Sequence, residues 1–397
     1  MTTPEGLEQT YRGVVRLIDR DELSSLTSRL IRAQSPNPPG EVREVSSLVY
    51  DYMTRAGIEA RLDEVSPGRP NVYCVLNGSE NKPVLMFNGH MDVVPAGDGW
   101  TMDPFGGQVA GDKLYGRGAT DMKAGLAAMM IAMKSIALAR INLRGSLFLS
   151  AVVDEEQAET GTKKMLESGI KSDFAVVGEP TSLKTVTASK GDVYYEITTM
   201  GKAAHSSTPH DGINAIAKMT RIVEAIDDLS RRLEAKKHKL LGFPTLSVGM
   251  IEGGTATNVV PSFCKAMVDR RTLPGETAED GKKQLESLIA NLRKKDPQLR
   301  AQVRTIMEAA PMEVPENSTI VKAARKATEH VLGHDTGVTG MQGATDAQLL
   351  YNVARIPSVI LGPGDISQAH KPNEHVSLSE VFEAARIYVQ LALSLLS

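Results

Sequence analysis

Short, nearly unbroken apolar runs recur along the chain: NVYCVL (71–76), PVLMFNGHMDVV (83–94), SLFLSAVV (146–153), FAVVG (174–178) and IPSVILG (356–362). Runs with so little polar alternation suit strands buried on both faces of a sheet. Between two of them, DMKAGLAAMMIAMKSIALAR (121–140) is rich in Ala, Met and Leu and lacks proline, which predicts a largely buried helix. Two more helices are expected upstream, over 20–33 before the breaker SPNPPG and over 42–56 before Gly57. Strands alternating with helices predict an α/β architecture, a mixed and largely parallel sheet with helices on both faces.

The pattern changes in the middle of the chain. GDVYYEITTMG (191–201) alternates like a half-exposed strand, and a polar helix over about 212–235 follows. LSVGMIEGG and PSFCKAMVDRR read as a strand pair, followed by a Lys/Glu-rich helix over about 277–294 and a last strand near 299–307. This β-α-β-β-α-β order predicts an inserted α+β, ferredoxin-like unit. The expected division is 1–190 and 311–397 for a catalytic domain in two parts, with 191–310 as an inserted dimerisation or lid domain. The length of 397 residues, at roughly 150 per domain, agrees with more than one core.

Composition narrows the function classes. Lys and Arg number 45 against 48 Asp and Glu, a net charge of −3, which argues against a nucleic-acid partner. An apolar fraction of 41% is that of a folded globular chain. Cys74 and Cys264 are too few for a disulfide framework and too far apart for a zinc ribbon, so they read as small buried hydrophobes. No apolar stretch approaches the roughly 20 residues of a membrane span, and the first residues hold no secretory signal. The expectation is a cytoplasmic protein with no membrane partner.

The chemistry lies where the apolar runs end. His90 and Asp92 follow VLMFNG, Glu155 and Glu156 follow AVVD, Glu179 follows AVVG, and His370 lies beyond VILGPGD. Asp121 opens the buried helix. Ligands in open α/β sheets bind beyond the carboxyl ends of the strands. Any one of these residues alone reads as a cap or a satisfied polar group. Several carboxylates converging from separate strand ends need a counter-charge, and a cation supplies it. Imidazole and carboxylate without thiolate suit Zn²⁺, Mn²⁺ or Co²⁺, and two imidazoles far apart in sequence suggest two ions sharing a carboxylate. Asp92, two residues after His90, is spaced to orient that imidazole from behind. Glu155 and Glu156 are adjacent and diverge, so one of them binds metal while the other handles a proton.

GHMDVVPAGDGW, YGRGATDMKAGLAA, VVDEEQ, VGEPT, GKAAHSSTPHDGINAI and HKPNE, in this order, resemble the M20 metallopeptidase family, with the last forms nearest its acetylornithine deacetylase and succinyl-diaminopimelate desuccinylase branch. The resemblance implies that His90, Asp121, Glu156, Glu179 and His370 hold two divalent ions, Zn²⁺ first and Co²⁺ or Mn²⁺ otherwise, with Asp121 as the bridge. It implies that Glu155 is the general base, that Asp92 orients His90, and that His205 stabilises the oxyanion, often from a partner subunit. Asn258 and Arg270 resemble the family's contacts to a substrate carboxylate, with Arg271 the neighbour most easily confused with Arg270. The implied activity is hydrolysis of an N-acyl amino acid or a dipeptide-like amide by a homodimer. A dipeptidase or carboxypeptidase, or an aminohydrolase acting on an unusual amine, would use the same machinery. A metal-stabilised binding protein that has lost turnover would be expected to lack Glu155, and a phosphoesterase would need a basic phosphate-binding motif that the chain does not have.

Overall fold

The computed structural model describes residues 4–397. They divide into two compact units: one runs to Thr187 and includes Val314–Thr339 and Thr345–Ser397, and the other is Ala188–Glu313 with Gly340–Ala344.

The first unit is built on a mixed sheet whose strands lie in the order Glu59–Ser66, Arg69–Leu76, Ser146–Val152, Val84–His90, Phe174–Val177, Ser358–Ile360 and Thr185–Ser189. The centre is parallel: Val84–His90 pairs in parallel with Ser146–Val152 and with Phe174–Val177, which pairs in parallel with Ser358–Ile360. These four strands are four of the five apolar runs, and their side chains are buried almost throughout. The flanks are antiparallel. The hairpin Glu59–Leu76 adds to one side, and Thr185–Ser189 runs antiparallel to Ser358–Ile360 on the other.

The register decides where the chemistry falls. His90 lies opposite Val152, and Asn88 opposite Val177, so the three strands end together. His90, the residues after Val152 and those after Val177 therefore emerge on one edge of the sheet.

The helix Ala124–Leu138 is buried on every side from Ala124 to Met133, emerges at Leu138, and packs against the C-terminal helix Leu378–Leu396. Its approach to the sheet is close. A β-carbon on Gly125 would stand 2.1 Å from the carbonyl oxygen of Gly178, so only glycine lets the helix start beside the strand end that carries Glu179. A small antiparallel sheet of Gln108–Ala110, Lys113–Tyr115 and His375–Ser377 brings the segment around 370–375 beside the turn before that helix.

In the second unit the strands lie in the order Thr245–Gly253, Phe263–Thr272, Gly191–Met200, Arg300–Ala309, all antiparallel. Helices Ala215–Leu233 and Ala278–Lys295 cover one face, where Tyr195, Ile197, Ala266 and Val268 meet Met219, Ile222, Leu285 and Ile289. This is the split β-α-β unit expected from the sequence. Among the described residues no helix is long and apolar enough to cross a membrane.

Candidate metal centre

Asp121 sits in an irregular turn, not at a helix cap. Its φ and ψ of −116° and 95° are extended, and the helix begins at Ala124. What fixes the turn is Glu374, a side chain with no exposed surface, whose Oε1 accepts from the amides of Thr120 and Asp121 at 2.9 and 3.1 Å. The other Glu374 oxygen accepts from Arg117 at 2.6 Å.

Held this way, Asp121 divides its carboxylate between two imidazoles. Its Oδ1 lies 3.1 Å from Nε2 of His90 and its Oδ2 lies 3.1 Å from Nε2 of His370. Around His90 the set is completed by Glu179 at 3.5 Å and Glu155 at 3.9 Å. Around His370 it is completed by Glu156 at 3.2 Å. Six of the residues picked from sequence (His90, Asp121, Glu155, Glu156, Glu179 and His370) thus meet in one cluster of the first unit.

The donor atoms fit cations. Nδ1 of His90 lies 2.9 Å from the main-chain carbonyl of Asp92, which can only accept, so Nδ1 keeps its proton and Nε2 is the nitrogen that can give up its own and offer a lone pair to a cation. Two ligands of a tetrahedral zinc, each roughly 2.0–2.1 Å from the ion, stand about 3.4 Å apart, and the contacts above have that spacing. Oε1 of Glu156 and Oε1 of Glu179 are buried and meet no hydrogen-bond donor, as expected of atoms shaped for a metal.

The electrostatics describe the same need. Burial alone would lower the His90 pKa, but Glu179, Asp121 and Glu155 hold it well above the imidazole range. Asp121 and Glu156 raise His370 to about 10. Burial, with neighbouring carboxylates adding to it, pushes Glu155 and Glu179 well above the usual carboxylate range. Asp121 is pulled below that range in spite of its burial, because it touches both imidazoles. Without cations this cluster must retain protons to limit its own repulsion.

Asp92 behaves differently from the expectation that its carboxylate orients His90. The carboxylate stands 3.9 Å from Nδ1, and the ring is steered by the Asp92 carbonyl instead. His205, Asn258 and Arg270 belong to the second unit. His205 is exposed, and its Nδ1 accepts from the Ser207 amide at 3.2 Å, which leaves the neutral ring's proton on Nε2. Asn258 is exposed beside it, its carbonyl accepting from Ser206. Arg270 is 2% exposed on the helix-covered face, where it pairs with Glu276, whereas Arg271 lies on the opposite face with 28% of its side chain exposed, beside Asp192 and Asp269. Arg271 is therefore the guanidinium of the pair with surface to offer.

Four residues of the first unit were not picked out as site residues. Glu374 and Arg117 brace the Asp121 turn, and Asn37 bonds the Asp92 carboxylate. Asp346 is buried with neither oxygen hydrogen-bonded, and burial pushes its pKa up to about 6.

The model of peptidase family M20/M25/M40 matches residues 86–394. The chain belongs to that family. It is a metallohydrolase acting on amide bonds. An acetylornithine deacetylase from Salmonella arizonae is 32% identical over 337 residues, covering 83% of this chain and 85% of that protein. An N-formyl-4-amino-5-aminomethyl-2-methylpyrimidine deformylase from Halalkalibacterium halodurans is 29% identical over 395 residues, 92% of each chain. In fold, the M20 chain resembles a tripeptidase from Staphylococcus aureus, with a TM-score of 0.78 at 22% identity over 96% of this chain and 99% of that one. It also resembles a dinuclear metal-binding M20 peptidase from Bacillus subtilis, with a TM-score of 0.75 at 18% identity over 95% and 98%.

Proposed function

We propose that this M20 hydrolase removes the acyl group from an N-acyl amino acid or a similar carboxylate-bearing amide, using two divalent cations. The single observation that carries this reading is the split of the Asp121 carboxylate between His90 and His370 at equal distances, which defines two ligand sets with one shared member. His90, Asp121 and Glu179 would hold one ion, and His370, Asp121 and Glu156 the other, zinc in our reading. When bound, such a pair supplies Lewis acidity that lowers the pKa of water toward about 7 and polarises a carbonyl.

We assign Glu155 to neither set, because its 3.9 Å approach to His90 Nε2 is the longest imidazole contact in the cluster. It lies beside His90 yet bridges nothing, and a base needs that freedom. In the proposed reaction Glu155 takes a proton from the attacking water and returns it to the leaving amine nitrogen, so one group serves as base and then acid. His205, with its proton on Nε2, donates to the oxyanion. Asn258 and Arg271 receive the substrate's carboxylate, for which a planar guanidinium is suited.

Removal of an acyl group from nitrogen is favoured over peptide cleavage because the two relatives named above by sequence are a deacetylase and a deformylase. The enzyme is read as a homodimer through the second unit, whose outer strand Thr245–Gly253 exposes Met250 and Ile251. The test is a panel of N-acetyl, N-formyl and N-succinyl amino acids, a dipeptide and a phosphomonoester, assayed with Zn²⁺, Mn²⁺ and Co²⁺ after chelator stripping. Turnover of N-acyl amino acids with metal supports the reading, and turnover of the phosphomonoester alone removes it.

A further inference from the structure

The Asp92 carboxylate is engaged by the turn that follows Ser146–Val152. Its Oδ1 accepts from the Glu155 amide and its Oδ2 from the Glu156 amide, each at 3.3 Å. Two neighbouring amides pinned to one carboxylate fix the directions in which two neighbouring side chains leave the backbone, and here those side chains go to different tasks.

A second group of residues stands behind Asp92. Asn37, 3% exposed, donates from Nδ2 to Asp92 Oδ2 at 2.9 Å and to Asp154 Oδ1 at 2.8 Å. Arg69 donates to the same Asp154 oxygen at 2.8 Å and to Oδ1 of Asn37 at 3.2 Å. The Thr160 hydroxyl donates to the remaining Asp154 oxygen at 2.6 Å. The amide of Asn37 can be oriented in only one way, since its nitrogen faces two acceptors and its oxygen faces a guanidinium. Its neutrality matters too. Both hydrogens go to carboxylates, one each, and no third negative charge is added between them. Asp154 itself has φ of +67°, a left-handed conformation that a residue other than glycine keeps only when its surroundings hold it.

We propose that Asn37, backed by the Arg69–Asp154 ion pair, is a positioning residue for the general base. It acts through Asp92 on the 154–156 turn, and so sets Glu155 apart from Glu156. The inference rests on the proposed role of Glu155, and it assigns the Asp92 carboxylate to the turn instead of to His90.

The experiment compares full-length Asn37→Ala, Arg69→Met and Arg69→Lys with the parent enzyme in two measurements. The first is hydrogen exchange by mass spectrometry, with and without bound zinc. The amides over 153–157 are expected to exchange roughly tenfold faster in Asn37→Ala, the loss of about one hydrogen bond's protection, with the segment carrying His90 unchanged. The second is steady-state hydrolysis of an N-acetyl amino acid. There kcat is expected to fall roughly tenfold to a hundredfold, as for a misplaced catalytic group, with KM and metal content held. Arg69→Lys should recover most of what Arg69→Met loses. Parent-like exchange over 153–157, or an activity loss that follows metal loss, overturns the inference. Should Asn37→Ala fail to fold, the two Arg69 variants carry the same comparison. If the parent enzyme hydrolyses no N-acyl amino acid, the proposed function falls, while the exchange measurement still decides the positioning role.

Discussion

Arg117 and Glu374 form an ion pair of 2.6 Å whose side chains are 2% and 0% exposed. A pair buried this completely is held by more than Coulomb attraction. Arg117 also donates to the Ala96 carbonyl and lies over the Trp100 ring, and Glu374 accepts two main-chain amides. Glu374→Ala would strand a buried guanidinium and free the Asp121 turn. The expected cost is about 3–5 kcal/mol in urea unfolding, the scale for breaking one side of a buried pair. Metal affinity should fall with it, because one of the released amides belongs to Asp121. The double variant Arg117→Met with Glu374→Leu should regain part of the stability and none of the metal affinity. Equal recovery of both would show that the pair only fills space.

Glu155 should be separable from its neighbour. Glu155→Gln keeps the volume and removes the base, so kcat is expected to drop by roughly two to four orders of magnitude with metal content intact. Glu156→Gln, by contrast, should lower the metal content first. Elemental analysis alongside turnover distinguishes the two, and loss of metal in Glu155→Gln would reverse the assignment.

How much of this was legible in the sequence depends on the kind of signal. The parallel strands and the buried helix were readable because burial on all sides leaves an apolar run, and the cluster was readable because the parallel register delivers strand ends to one edge. The helices Pro4–Val15 and Thr319–Leu332 and the first hairpin strand, Glu59–Ser66, have mixed surfaces that give a weaker pattern, whereas the second hairpin strand carries the apolar run NVYCVL. Glu374 gives no such signal, since it follows no apolar run. Its real partners are an arginine and two main-chain amides more than 250 positions away, and no periodicity encodes such contacts. Asn37 was hidden in SPNPPG, where the prolines read only as a helix stop. The choice between Arg270 and Arg271 was available from parity. Cys264, Ala266 and Val268 share a face, so the even-numbered Arg270 joins them in the interior and Arg271 points the other way.

Metal binding should release protons, because the metal-free cluster retains them. His370 is raised to about 10 by Asp121 and Glu156, and Glu155 and Glu179 are raised chiefly by burial. Apparent zinc affinity should therefore increase from pH 6 to pH 8, which calorimetry in buffers of different ionisation enthalpy would register as proton release. The stripped protein follows the same sign. A folded-state pKa above the unfolded one gives stability that is whole below the unfolded value, near 6.5 for His370, and lost as pH rises toward about 10. The raised carboxyls act in the same direction, since the folded state binds the extra protons. The melting temperature of chelated protein should fall across that window while that of zinc-loaded protein stays nearly level. Parallel curves would mean that the cluster does not retain protons without metal.

The two adjacent arginines should fail in different ways. Arg270 is buried against Glu276 with Nε and Nη1 unpartnered, so Arg270→Ala removes a packed side chain and leaves Glu276 without its buried cation. It should unfold at lower urea by a few kcal/mol, the usual cost of breaking a buried pair, before any effect on recognition can be read. Arg271→Ala should fold at a smaller cost, because Asp269 keeps access to water and Asp192, whose side chain is only 10% exposed and whose pKa burial already raises to about 6, can take up a proton when its cation is lost. Its main expected cost is in catalysis: kcat/KM for a carboxylate-bearing N-acyl amino acid falls roughly tenfold to a hundredfold, the worth of a charge-assisted hydrogen bond. An uncharged amide analogue of the substrate should lose far less from the same substitution. If the charged and uncharged substrates suffer equally in Arg271→Ala, the guanidinium does not read the carboxylate, and recognition belongs elsewhere on the second unit.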